Sequence, residues 1–164
     1  TYEGYLGRGT AAIIECVTEN RNRTVADLRH ILSKGGGDLA SKGSVSWQFD
    51  RKAVFSIESD GRNFDKAFEA ALEGGADDVT EEDGYIEIVG AAETFKSIHD
   101  HLVASKLHIE DAGLRMIPNQ EVELDFDQTV AVLKVINNLE ENDDVQHVYS
   151  NLKFGNEHVE AIDN

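Results

Sequence analysis

The spacing of hydrophobic positions switches between period two and period 3.6 along this chain, and each switch marks an element. Residues 10–18 (TAAIIECVT) form a short apolar run of strand length, reached by a glycine-punctuated approach over residues 2–9. From Thr18 to Thr24 no side chain is apolar, which predicts a loop. Val25, Leu28, Ile31 and Leu32 then recur at helical spacing. A helix is therefore expected over 24–34, with Thr24 as N-cap, Asp27 completing a weak capping box, and Gly35-Gly36-Gly37 as its stop. Residues 43–51 alternate, with Val45, Trp47 and Phe49 on one face, and predict a half-buried strand.

A second series follows without a turn signal. It comprises a strand over 52–58 burying Val54, with Phe55 and Ile57 as further candidates, and a helix over 63–73 with Phe64, Ala67, Phe68, Ala71 and Leu72 on one side. A hairpin closed by Asp83-Gly84 comes next, then a helix over 93–106 presenting Phe95, Ile98 and Leu102, and a strand near 108–116. Strand, helix, strand, strand, helix, strand is the ferredoxin-like order. Beyond Pro118, the only proline, Asp125 caps a helix with Gln128 three residues on, and Val130, Leu133, Ile136 and Leu139 form its stripe. Residues 145–149 alternate as a last strand with Val145 and Val148 or Tyr149 inward, and residues 155–164 are expected to fray.

That tail is too little for a fold of its own, and residues 1–51 lack a cover for their apolar face. The expected class is therefore α+β: two small α/β sandwich domains, a ferredoxin-like domain over 52–118 inserted into a discontinuous α+β domain built from 1–51 plus 119–164.

Composition adds bounds. The 164 residues are 40% hydrophobic, enough to bury a core. A single cysteine, Cys16, sits within the apolar run, reads as a small buried hydrophobe and suits a reducing compartment. No window approaches 18 apolar residues, and the chain opens on polar and glycine residues, so no membrane span or signal peptide is expected and the expected location is cytoplasmic, with the mitochondrial matrix as alternative. The formal net charge is −17, unevenly spread. Residues 1–51 hold seven Lys or Arg against six Asp or Glu, residues 52–118 six against fifteen, and residues 119–164 two against eleven. A near-neutral island thus sits on an acidic body that repels a phosphate backbone.

Chemistry concentrates at residues 18–24. Asn20, Arg21, Asn22 and Arg23 lie at the head of a helix, where free N–H groups and the dipole receive anions; the alternative is a polar βα connection whose arginines are simply solvated. Arg8, Arg29, Lys34 and Lys42 are the further candidates for a nucleic-acid or ribosome contact face. Tyr2 and Tyr5 are candidates for stacking on bases, against the alternative that they belong to the core. No catalytic residue, cofactor or metal is expected. Gly4, Gly7 and Gly9 precede no helix, so they form no P-loop, and His99 and His101 would point about 200° apart on a helix. The acidic runs Asp77-Asp78 and Glu81-Glu82-Asp83 fail calcium-loop spacing.

Several motifs taken together resemble the YebC family, which includes the mitochondrial translational activator of cytochrome c oxidase subunit I. They are Tyr2-Glu3-Gly4-Tyr5, Ile14-Glu15-Cys16, Asn20-Arg21-Asn22-Arg23-Thr24, Arg29-His30, Ser33-Lys34, Gly36-Gly37, Gly43-Ser44-Val45, and the run from Asp143 to Tyr149. The resemblance implies the same nesting of domains. It also implies a lysine- and arginine-rich helical domain ahead of the Tyr-Glu-Gly-Tyr motif, at which this sequence begins. Leu6-Gly7-Arg8-Gly9 departs from the family's usual Gly-Pro-Gly-Gly and adds a charge. The function implied is regulation of gene expression without catalysis, either as a ribosome- and RNA-associated translation factor or as a DNA-binding transcriptional regulator. Contact would run through residues 18–24 and the basic first domain. An acidic protein-interaction module is the further alternative, favoured by the charge of residues 52–118.

Overall fold

The structure, a computed structural model, describes residues 1–162. In chain order its elements are β1 (Tyr2–Gly7), β2 (Thr10–Cys16), α1 (Arg21–Lys34), β3 (Asp38–Ala40), a 3-10 turn (Ser46–Gln48), β4 (Phe49–Glu58), α2 (Phe64–Gly74) and β5 (Asp78–Glu82). They continue with β6 (Tyr85–Ala91), a 3-10 turn (Ala92–Thr94), α3 (Phe95–Ala104), β7 (Asp111–Pro118), α4 (Phe126–Glu140), β8 (Val145–Ser150) and α5 (Asn156–Ile162). The chain divides into two compact units, Thr1–Asp50 together with the described residues from Ile117 onward, and Arg51–Met116.

In the first unit a sheet of order β3-β1-β2-β8 is antiparallel throughout. Residues 2–7, read from the sequence as an approach, are β1, one of the two central strands, where Gly4 permits what a side chain would obstruct. A Cβ on Gly4 would stand 3.0 Å from Leu32 of α1 and 3.1 Å from the Asp38 carbonyl oxygen of β3. Leu6, Ala12 and Ile14 of the sheet pack against Leu28 and Leu32 of α1 and Val132, Leu133, Val135, Ile136 and Leu139 of α4. Tyr5 falls on the opposite face of the sheet and is 43% exposed.

The alternation over residues 43–51 misled. Val45 is fully buried and Phe49 starts β4, but Trp47 lies in the 3-10 turn at 72% exposure, with its indole N–H donating to the Ser44 carbonyl. The cause is Glu3. Its buried carboxylate accepts the backbone N–H groups of Gly43 at 2.6 Å, Val45 at 2.9 Å and Ser46 at 2.7 Å. A segment whose donors converge on one side chain cannot offer them to a ladder. Burial acts to raise the Glu3 pKa, but these hydrogen bonds outweigh it and hold the carboxyl below its usual range.

The second unit is ferredoxin-like: its sheet has the order β5-β6-β4-β7, with α2 and α3 supplying the helical side of the core. Phe55 and Ile57 are buried together with Ala53, but Val54, expected to be buried, alternates to the other face and is half-buried. α2 buries its small residues Ala67, Ala70, Ala71 and Gly74 and leaves Phe68 and Leu72 largely exposed. It can do so because a Cβ on Gly74 would stand 2.7 Å from Ile98 Cα, a helix–helix approach that large residues would prevent. The hairpin between β5 and β6 turns at Asp83 (φ 53°) and Gly84 (φ 83°), both in the left-handed region, as a type I′ turn requires.

The chain from Asn156 to Ile162 corrects the expectation of fraying: it is helix α5, with Ile162 packed against the first unit's core. Asp163 and Asn164, the remainder of that expected frayed end, lie outside the described residues.

Candidate functional site

The loop read over residues 18–24 is shorter than its composition indicated. Asn20, not Thr24, caps α1: its side-chain oxygen accepts the Arg23 N–H at 3.1 Å. Arg21, Asn22 and Arg23 therefore stand in the first helical turn, and Asn20 is spent on the cap. Thr24 is fully buried; its hydroxyl donates to Asp144 Oδ2 at 2.8 Å and stands 2.7 Å from the Thr18 hydroxyl. Arg23 Nη2 reaches the same Asp144 oxygen at 3.3 Å, and the Asp144 carbonyl accepts the Val17 N–H at 2.9 Å. The Thr24 hydroxyl contributes most to holding the Asp144 carboxyl below the usual aspartate range, and Arg23 adds to it against an opposing burial effect. The sequence placed Asp144 only in the motif run from Asp143 to Tyr149 and did not join it to residues 18–24. Its partners lie about 120 residues away, beyond the reach of any local periodicity.

The remaining candidates do not form one face. Arg21 lines a hollow of about 650 Å3 with Thr1, Tyr2, Cys16, Val17 and Val25 at the N-terminal end of α1. Tyr2 is half-buried against the helical core, whereas Tyr5 is on the other side of the sheet. Arg8 and Lys34 meet at the opposite end, where α1 ends against the β1–β2 hairpin. The fourteen residues of α1 separate the two ends by roughly 20 Å at about 1.5 Å per residue. Arg29 is exposed midway, and Lys42 is exposed beside Gly43, whose amide is bound by Glu3.

Burial pushes the Cys16 thiol upward, consistent with its reading as a small hydrophobe. Among the described residues no group of three or more His, Cys, Asp or Glu is placed to hold a metal ion, and no helix is long and apolar enough to cross a membrane.

Comparison with known proteins places this geometry in a family. Residues 1–152 match the family described as the TACO1/YebC second and third domain. A "probable transcriptional regulatory protein" of Trichlorobacter lovleyi is 42% identical over 98% of this chain and 65% of its own length. One from Photorhabdus laumondii is 45% identical over 95% of this chain and 63% of its own length. The crystal structure of a conserved hypothetical protein from Aquifex aeolicus superposes with a TM-score of 0.85 at 34% identity, covering 94% of this chain and 64% of that one. The chain thus spans about 65% of the length of the curated relatives it matches. It belongs to the TACO1/YebC family.

Proposed function

We propose that this chain regulates gene expression as a non-enzymatic factor that docks on RNA of the translation machinery, with the first turn of α1 as its phosphate-contacting end. The observation that carries this reading is the distribution of positive charge. On a body of net charge −17, Arg21 and Arg23 lie at one end of α1 and Arg8, Lys34 and Lys134 at the other. Arg29 is exposed midway and Lys42 and Lys153 stand apart, so the first unit's cations are dispersed and do not line up as one dense stripe. Duplex DNA presents a charge about every 1.7 Å along its axis and rewards a continuous basic face. Dispersed cations suit phosphates that converge from different directions, as in a folded RNA cleft.

At the α1 end Arg21 makes no ion pair among the described residues. Arg23 is 59% exposed with one nitrogen held by Asp144, which leaves the rest of its guanidinium fork for an outside anion. A non-catalytic role is supported by what holds the carboxylates whose pKa is lowered: Glu3 by backbone amides, Asp144 by the start of α1, and Asp100 by Lys96 one helical turn away. Cytoplasmic or mitochondrial-matrix ribosomes are the partner in this reading, and a basic domain ahead of residue 1 would add attraction. A second reading, a DNA-binding transcriptional regulator, is favoured by the names its relatives carry.

The test is Arg21→Ala combined with Arg23→Ala, titrated against ribosomes and ribosomal RNA. Affinity should fall, and the slope of log K against log salt should flatten by roughly one for each phosphate that is no longer neutralised. Unchanged affinity and slope would remove the α1 end from the interface.

A further inference from the structure

The other end of α1 carries a site that no sequence pattern outlined. Arg8, Lys34 and Lys134, with Asn138, line a hollow of about 330 Å3 floored by Ile31, Gly35, Ala131 and Val135. Among the described residues no carboxylate lines it, in a chain where acids outnumber bases 32 to 15. Among the described residues Arg8, Lys34 and Lys134 make no ion pair, which they share with Arg21, Arg29 and other exposed cations; what sets them apart is that all three line one hollow. Lys134 is masked in the sequence by its segment, residues 119–164, which is strongly acidic.

Three elements are brought together here by glycines. A Cβ on Gly35 would collide with Val135 of α4, and one on Gly7 would stand 3.1 Å from the Gly35 carbonyl, so hairpin, helix end and α4 approach closely. Arg8 sits in the hairpin turn at φ 54° beside Gly9 at φ 79°, a position that favours Asn, Asp or Gly and is costly for a long side chain. The dipole at the C-terminus of α1 accounts for Lys34 alone. Lys134 is in the middle of α4 and Arg8 is in no helix.

We propose that this hollow is an anion site that receives a phosphate group. An RNA backbone is the source consistent with the docking role above, on which that assignment of source rests; the site itself does not depend on it. Arg8 from the hairpin, Lys34 from the end of α1 and Lys134 from α4 supply cationic donors, and Asn138 offers an amide donor.

The experiment uses the full 164-residue chain, isotopically labelled. Amide shifts are followed during titration with inorganic pyrophosphate and, separately, with a short single-stranded RNA oligonucleotide. The comparison protein carries Arg8→Asn with Lys134→Gln, both at exposed positions. Saturable shifts at Gly7, Gly9, Gly35 and Gly36 are expected, and the double variant should lose them while keeping or raising its melting temperature. For the RNA arm, the salt slope should flatten by about 1.4, from two phosphates at about 0.7 each on a single strand. RNA saturating ahead of pyrophosphate identifies a backbone as the source. Saturation by pyrophosphate alone keeps the anion site and assigns it to a free phosphorylated molecule. Absence of these shifts in both arms, or their persistence in the double variant, overturns the proposal. The Arg21→Ala, Arg23→Ala protein in the same titration separates the two ideas, because weakened RNA binding there with none in the Arg8, Lys134 variant leaves the docking reading standing and removes only this site.

Discussion

Arg23 Nη2 lies 3.3 Å from Asp144 Oδ2, the oxygen that also accepts the Thr24 hydroxyl at 2.8 Å. One carboxylate thus fixes the first turn of α1 and the direction of an arginine at once. The Asp144 pKa is lowered in the folded state. Its stabilising effect is therefore fully present above the ordinary aspartate value of about 3.9 and is lost as pH falls through the lowered value. Asp144→Asn should be less stable than the parent at pH 7, with the gap closing in strong acid. Urea melts across pH check this, and a gap independent of pH would mean that the charge is not what matters.

Glu3 works the same way inside the first unit. Glu3→Ala leaves the buried Val45 N–H without its acceptor and should cost about 1–3 kcal/mol. Since the Glu3 pKa is also lowered, the stability it contributes is present above about pH 4.3 and lost as pH drops through the folded value. Trp47, the single tryptophan, is on the segment that Glu3 holds, so its fluorescence should change in Glu3→Ala well before global unfolding.

Two glycines should respond differently to alanine. A Cβ on Gly37 would run into the Tyr5 carbonyl, backbone against backbone, and overpacking of this kind costs about 1–3 kcal/mol or more. At Gly9 a Cβ meets nothing, and only the φ of 79° is unfavourable, at roughly 1–2 kcal/mol. Thermal melts should rank Gly37→Ala as the more damaging; the reverse order would contradict the close approach of β1 to the turn after α1.

Much of this fold was legible because burial imposes period on sequence. The stretch from Phe64 to Leu72 read as a helix, Asp83-Gly84 as a hairpin turn and Asp125 as a cap, each from a local rule. What failed was decided by distant partners. Trp47 alternates with Val45 and Phe49 in sequence, but Glu3, some forty residues earlier, removes that segment from any ladder. Thr24 resembles a cap from its neighbours, yet Asp144 draws it into the interior. Among candidate contact residues the sequence supplied Arg8 before the first strand and Arg21, Arg23 and Lys34 after it, an order that leaves room for opposite ends, but it missed Lys134.

Residues 51–116 carry a core of their own, including Phe55, Ile57, Ile86, Ile88, Ile98 and Leu102. We expect this segment to fold autonomously. Expressed alone it should give one cooperative melt; a broad, non-cooperative transition would show that it depends on the rest of the chain.

The most direct test of RNA docking is a side-by-side anisotropy titration of the 164-residue chain with duplex DNA and with ribosomal RNA fragments at about 0.15 M salt, where fields are screened beyond roughly 8 Å. The account predicts measurable binding to the RNA, weakened by Arg21→Ala with Arg23→Ala, and weak or no binding to the duplex. Micromolar or tighter binding to the duplex, with RNA no better, would contradict it and put transcriptional DNA binding first.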